Sequence, residues 1–470
     1  MSLTLSLSDY VSTGPRPRPA APRPPEKPQQ LLSLLWTLNK NPLEAWPQSH
    51  YEEPIVTGNT VLGRFAMVSS PDAIRHVLVE KTENYRKDDL QNLLLRPALG
   101  NGLLTSSGNE WRMQRRSFAP VFSPRKVTSY APAMLNEAAA LASRWRSLDG
   151  KIVDICEEMA RSMLDTLATT LFSRGIGRDP AEFRRAATRY FETQGRIDPL
   201  DLIGAPAWLP RIGRLLSRPA LKFFPLVVNA ILEERRRAAD APTNPEDWDF
   251  VDTLLNARDE ATGTPISEEE IAANIITFIG AGFETPANAL SWTLYLLSID
   301  ETWRRKVETE SDRLLPGLQT GKVKTDEFIY TRALIEEAMR LYPPVAILSR
   351  TALHDHVLSG RKIVAGTTVI IAPWILHRHR MLWNDPDCFD PARFLPENRS
   401  NIERLSYIPF GAGPRVCIGA TYAMQQMIIT IATLARHYRL DLVPGHAVLP
   451  VHRVTLRPEH GMKMSIMRRR

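Results

Sequence analysis

Residues Phe410–Gly419 read F-G-A-G-P-R-V-C-I-G, and a long apolar helical run, Gly419 to His437, follows. Cys417 is thereby placed at a helix N-terminus, where free N–H groups and the positive end of the dipole favour a thiolate. Gly411, Gly413 and Gly419 lack Cβ and let the backbone pass close to a flat partner. Pro414 stiffens the loop, and Arg415 sets a permanent cation two residues from the sulfur. A rigid thiolate, room for a disc and a cation for the disc's acidic edge suit an axial ligand of haem iron. A lone cysteine is more often a buried structural residue, and from this loop alone both readings stand.

A second stretch lies upstream. Ser267–Glu270 reads S-E-E-E, a capping box, with Ile266 and Ile271 placed as a hydrophobic staple. The helical pattern continues to about Ser298, roughly 45 Å at 1.5 Å per residue, and so apolar a helix is expected to cross the interior. Its middle is Ala281-Gly282-Phe283-Glu284-Thr285-Pro286. Pro286 has no N–H, so the carbonyl of Gly282 loses its partner, and the helix is expected to open there to water or a diatomic ligand. Thr285 supplies a hydroxyl and Glu284 an acid able to pass protons inward. Helical spacing puts Asn274, Phe278, Ala281, Gly282, Thr285 and Ala289 on one face. A core helix with a structural kink is the alternative.

Three smaller patterns follow. Trp111 and Arg115 are one helical turn apart, as are Glu337 and Arg340 in I-E-E-A-M-R-L, while Phe389 to Phe394 reads F-D-P-A-R-F with Arg393 inside. Individually each is an ordinary feature of a surface helix or loop.

Phe410, Gly411, Gly413, Arg415, Cys417 and Gly419 resemble, position for position, the haem-binding loop of the cytochrome P-450 family. The other motifs recur in that family's order, over roughly residues 60 to 465. The resemblance implies a mainly α fold with a small β region, one haem-containing domain built around a long central helix. It implies haem b (iron protoporphyrin IX) ligated by Cys417, with Phe410 and the loop glycines against it, and Ala281 and Gly282 on its other side. Trp111, Arg115, Arg350 and Arg415 would serve its propionates. Glu284 and Thr285 resemble the acid–alcohol pair that governs protonation of dioxygen. Glu337, Arg340 and Arg393 resemble a structural triad, and Val345 and Ile347 fall beside the substrate. One departure is Pro286, where the family usually has threonine or serine, which bears on how water is organised. The peroxide-using branch lacks the pair, so dioxygen is the expected oxidant.

The 470-residue chain, 43% hydrophobic, is ample for one large core. Thr13 to Pro28 holds seven prolines, and residues 1–44 are expected to form a disordered spacer before a domain spanning 45–470. Relatives in the family with a membrane anchor carry it before such a hinge; the proline-rich part without an anchor implies a soluble, cytoplasmic enzyme, with no apolar run of membrane-spanning length expected. A weak amphipathic contact is open to Leu31–Leu38. Most of the formal charge of +7 comes from the two termini, including Arg468, Arg469 and Arg470, which argues against a nucleic-acid partner. Cys156, Cys388 and Cys417 make no disulfide framework.

Along the chain, Tyr51 to Val56 and Thr60 to Val68 read as strands turning at Gly58-Asn59, Pro71 opens a helix capped by a preceding serine, and Lys87 to Asn109 reads as a long connection. Ile197 to Leu216, rich in proline, is expected to be a mobile lid or a plain connection, and a polar linker spans Ala239 to Trp248. His354/His356 and His377/His379 read as loop histidines rather than a metal site, and Leu442 to Met467 as paired strands.

The expected activity is insertion of one oxygen atom from O2 into a lipophilic substrate. With no flavin or iron–sulfur domain, electrons must come from a separate partner, a ferredoxin with its NAD(P)H reductase, docking on a basic patch of Arg112, Arg116, Arg125 and Lys126. Phe278, Val345 and Ile347 are candidate substrate walls and Asn274 a candidate polar contact. Peroxide-driven or isomerising turnover, or a haem sensor or carrier, are the alternatives.

Overall fold

In the computed structural model the central helix Glu268–Ile299 organises the interior. The structure describes residues 16–60, 63–194, 198, 200, 205, 211–237, 244–259 and 262–469. The helix starts where the capping box places it: Ser267 Oγ accepts from the Glu270 N–H and Glu270 Oε2 from the Ser267 N–H, at 3.2 and 3.1 Å. Two donors that helix geometry leaves unpaired are thereby satisfied. Ile266 and Ile271 are both buried. The helix runs unbroken through Pro286, so the expected opening reduces to the Gly282 carbonyl, which has no N–H at 286 to accept from. Its most extensive contact is the helix Ile155–Thr170. Gly282 enables that approach, because a Cβ there would come within 2.8 Å of Leu167 Cδ1.

On the other side lie the helices Ile329–Leu341 and Ala420–His437. Trp292 stacks on Tyr342 with ring centroids 3.8 Å apart. Glu337 and Arg340, fully buried, form a two-pronged pair at 2.7 and 2.8 Å. Arg340 also donates to the carbonyls of His377, Pro386 and Cys388. Glu337 accepts from the Asp390 N–H, and Arg393 Nε stands 3.8 Å from Glu337. The three residues expected to form a structural triad lie together as one interior brace.

The β structure is small and peripheral. A five-stranded sheet has the spatial order Ile55–Thr60, Gly63–Val68, Thr368–Ile371, Leu348–Ala352, Tyr85–Lys87. The first pair is a hairpin, but the chain reverses between Thr60 and Gly63; Gly58-Asn59, expected at the turn, is mid-strand. Gly58 pairs with Phe65, whose ring would lie 2.4 Å from a Cβ at 58, so that glycine seats an aromatic ring. The C-terminal strands pair as expected: Lys463–Arg468 lies between Ile152–Asp154 and Tyr438–Leu442, and Pro450–His452 pairs with Leu456–Pro458.

Three expectations change. The connection from Lys87 to Asn109 contains a helix, Asp89–Leu99, with Pro97 in its last turn. Second, residues 16–44 are no free spacer. They are extended, then helical over Leu31–Lys40, and they lie along the body. Arg16 pairs with Asp390, the Pro17 carbonyl accepts from the Phe389 N–H, and Ala20 O accepts from the Tyr342 hydroxyl at 2.7 Å. Proline's missing N–H costs nothing there, since the strap pairs through its carbonyls. Third, Leu215–Arg237, within the helix Ile212–Arg237, is long and apolar enough by length and composition to span a membrane. It buries Ala220, Phe224, Val227, Val228 and Ile231 in the core. The expected lid and the start of the polar linker fall largely outside the described residues.

Arg340→Met leaves Glu337 buried without its main partner and should lower stability by about 3–5 kcal/mol, read as a lower denaturant midpoint; an unchanged midpoint contradicts the brace.

Candidate active site

The loop before Cys417 is held by its own backbone and by one histidine. The Cys417 N–H donates to Phe410 O at 2.9 Å and the Val416 N–H to Gly413 O at 3.0 Å. His377 Nε2 accepts from the Ile408 N–H at 2.9 Å. Burial lowers the His377 pKa to about 3, so the ring stays neutral and keeps that lone pair. Gly411 and Gly413 take positive φ, 74° and 71°. A Cβ on Gly413 would overlap Leu78 O, so this glycine serves close packing on the turn His76–Glu80. Gly419 has only ordinary contact with Phe122.

Cys417 retains accessible surface but is hemmed in by protein. Burial therefore pushes its thiol above the usual range, while the Gly419 N–H and Arg115 pull it down. The Gly419 N–H at the helix N-terminus favours the thiolate as expected, against the opposing effect of burial.

Cations gather nearby. The Arg415 guanidinium sits 4.3 Å above the Trp111 ring and donates to Ser106 O at 3.2 Å. Lys87 lies directly across the sheet from Arg350, and its ammonium donates to Leu104 O. Burial, then Arg415 and Arg350, depress the Lys87 pKa to about 6. Like charges facing each other across two strands are unfavourable, so Lys87 sheds its proton readily, and an anion beside it would restore its charge. Lys87 was invisible in the sequence, because only the strand register sets it opposite Arg350.

In the central helix, Ala281 is the sole exposed residue from Ile271 to Leu297. An exposed residue mid-way along a buried helix must face an internal void. Phe122 links this region to the cysteine loop: it touches the Gly419 position and stacks on Phe278 at 5.6 Å. Thr285 Oγ1 donates to Ala281 O at 2.8 Å. Glu284 turns away from Thr285, its Oε1 accepting from the Thr455 hydroxyl at 2.7 Å and its Oε2 buried without a partner.

Two expected substrate contacts are spent elsewhere. Asn274 Oδ1 accepts from the Leu103 N–H and its Nδ2 donates to Glu270 O, at 2.8 and 2.9 Å. Phe278 packs in a cluster with Phe118, Phe122 and Phe250. Gly282, expected against the haem, presents its bare face to Leu167. Thr277, one turn before Ala281, packs its buried hydroxyl, which has no hydrogen-bond partner, against Gly102. Val345 and Ile347 are half-buried around a fully buried Ala346. Of the other histidines, His356 bonds to the Tyr85 hydroxyl and His379 to Glu53 O.

The cytochrome P450 family model matches residues 22–465. Cyclooctatin synthase of Streptomyces melanosporofaciens is 31% identical over 364 residues, covering 77% of each chain. Cyclooctat-9-en-7-ol 5-monooxygenase of the same organism is 30% identical over 434 residues, 90% of this chain and 92% of that one. A crystal structure of a cytochrome P450 (CYP102L1), 24% identical, superposes with a TM-score of 0.79 over 97% of this chain and 100% of the other. With the cysteine loop, the buried brace and matches over nearly the whole length, the chain belongs to the cytochrome P450 family, whose members are haem b monooxygenases.

Proposed function

We propose that this monooxygenase hydroxylates a lipophilic substrate in the cytoplasm, taking electrons from a ferredoxin-type partner and its NAD(P)H reductase. The observation that carries it is the void beside Ala281, opened in a buried helix one turn from Thr285, whose hydroxyl donates to the Ala281 carbonyl. The residues present fit haem b: a sulfur with accessible surface, a small residue bared inside the core, and two arginines beside a lysine whose charge two propionates would restore. Haem ligated by thiolate supplies the electron donation that favours O–O cleavage.

Each side chain then has a task. Cys417 holds the iron, its ionisation favoured once a metal replaces the proton. Phe410 and Gly411 keep the loop shape, while Arg415, Arg350 and Lys87, with Trp111 and Arg115, hold the propionates. Thr285 keeps a hydroxyl at the void and Glu284 carries protons towards it. Val345 and Ile347 keep water from the reacting carbon. The relative named for cyclooctat-9-en-7-ol makes that hydrocarbon-rich alcohol the first ligand to screen, by the haem spectral shift on displacing water.

The docking surface is kept on the basic stretch read from the sequence: Arg112, Arg116 and Arg125 are exposed, and Arg125 and Lys126 also meet Glu246 through an ion pair and its carbonyl.

Thr285→Ala should divert most NAD(P)H-derived electrons to peroxide with the screened ligand; unchanged product per NAD(P)H contradicts its role, and turnover with no electron donor contradicts the monooxygenase cycle. Raising salt well above 0.15 M, where the Debye length is about 8 Å, should slow reduction by ferredoxin several-fold; a salt-independent rate removes electrostatic docking.

A further inference from the structure

The turn between the strands Pro450–His452 and Leu456–Pro458 reaches the acid of the central helix. Thr455 Oγ1 donates to Glu284 Oε1 at 2.7 Å, and Asn288 Nδ2 donates to the same Thr455 oxygen at 3.1 Å. A hydroxyl has one proton. Because the Asn288 amide occupies a lone pair, the Thr455 proton is directed to Glu284, and Thr455 is fixed as donor. The turn is pinned next to the substrate run by the Leu456 N–H on Pro344 O at 2.9 Å. Two residues beyond Thr455, Arg457 Nη2 pairs with Glu192 Oε1 at 3.1 Å; the Glu192 side chain, on the helix Pro180–Gln194, is 54% exposed.

We propose that Thr455 is a positioning residue for the oxygenation reaction: it parks Glu284 facing the hairpin, where Arg457 and Glu192 mark the solvent end from which the carboxylate is reprotonated. The inference rests on the proton-carrying role given to Glu284 above. A proton from bulk water neutralises the carboxylate at the hairpin end; the carboxyl group then leaves Thr455, turns inward and releases that proton at the Thr285 side. No electrons move in this step. The groups facing Glu284 are Thr455 and Arg457 from the hairpin and Glu192 from the neighbouring helix. Burial lifts the Glu284 carboxyl to about 7, against downward pulls from Thr455 and Arg457 and a small upward push from Glu192. Thr455 donates to the charged form, so removing it must raise the midpoint further.

The test is infrared titration of the resting holoenzyme, following the protonated-carboxyl C=O band assigned by its loss in Glu284→Gln. Wild type should titrate near neutrality and Thr455→Val about one pH unit higher, with the pH limb of coupling moving alongside; Thr455→Ser should restore both. A Thr455→Val midpoint equal to wild type overturns the proposal, as does a Thr455→Ser midpoint shifted like that of Thr455→Val. The two readings fail separately. If Glu284→Gln couples as well as wild type, the role of Glu284 itself falls; if Glu284→Gln uncouples while Thr455→Val titrates as wild type, only the role of Thr455 falls.

Discussion

A single buried guanidinium ties together the segments that present the cysteine. Arg340 is neutralised by Glu337 and spends its remaining donors on the carbonyls of His377, Pro386 and Cys388. His377 in turn receives the Ile408 N–H, two residues before Phe410, whose carbonyl takes the Cys417 N–H. The sulfur is therefore referenced, bond by bond, to the helix Ile329–Leu341. A buried ion pair is weak evidence for stability in itself. Here its value is geometric, because one planar fork fixes three backbone carbonyls on two loop segments.

The site carries opposed electrostatic demands. Burial disfavours the thiolate of Cys417, the ammonium of Lys87 and the carboxylate of Glu284 alike. Each needs a partner the bare protein supplies only in part. Iron and propionates would answer the first two. The third stays poised near neutrality, which suits a group that must gain and lose a proton.

Local chemistry was legible in the sequence, and long-range register was not. The capping box at Ser267, the glycine-rich loop and the spacing of Glu337 from Arg340 are written within a few residues, and the structure realises each. Gly58-Asn59 misled because a glycine in a strand can seat an aromatic ring as well as make a turn. Asn274 and Phe278 were placed on the correct helix but the wrong side of its neighbours: the loop at Leu103 and the phenylalanine cluster claim them, and no periodicity reveals which partner packs where. Lys87 opposite Arg350 and Thr455 against Glu284 join residues far apart in the chain, so only the fold discloses them. The proline strap looked like a spacer because its carbonyl partners, Phe389 and Tyr342, lie hundreds of residues away.

The central claim is a bond between haem iron and the ionised sulfur of Cys417. The most direct measurement is the absorption spectrum of the dithionite-reduced holoenzyme under carbon monoxide. The wild type should give the strongly red-shifted Soret band that thiolate ligation produces, and Cys417→Ala should lose it. Absence of that band from wild type, or its survival in Cys417→Ala, would contradict the account.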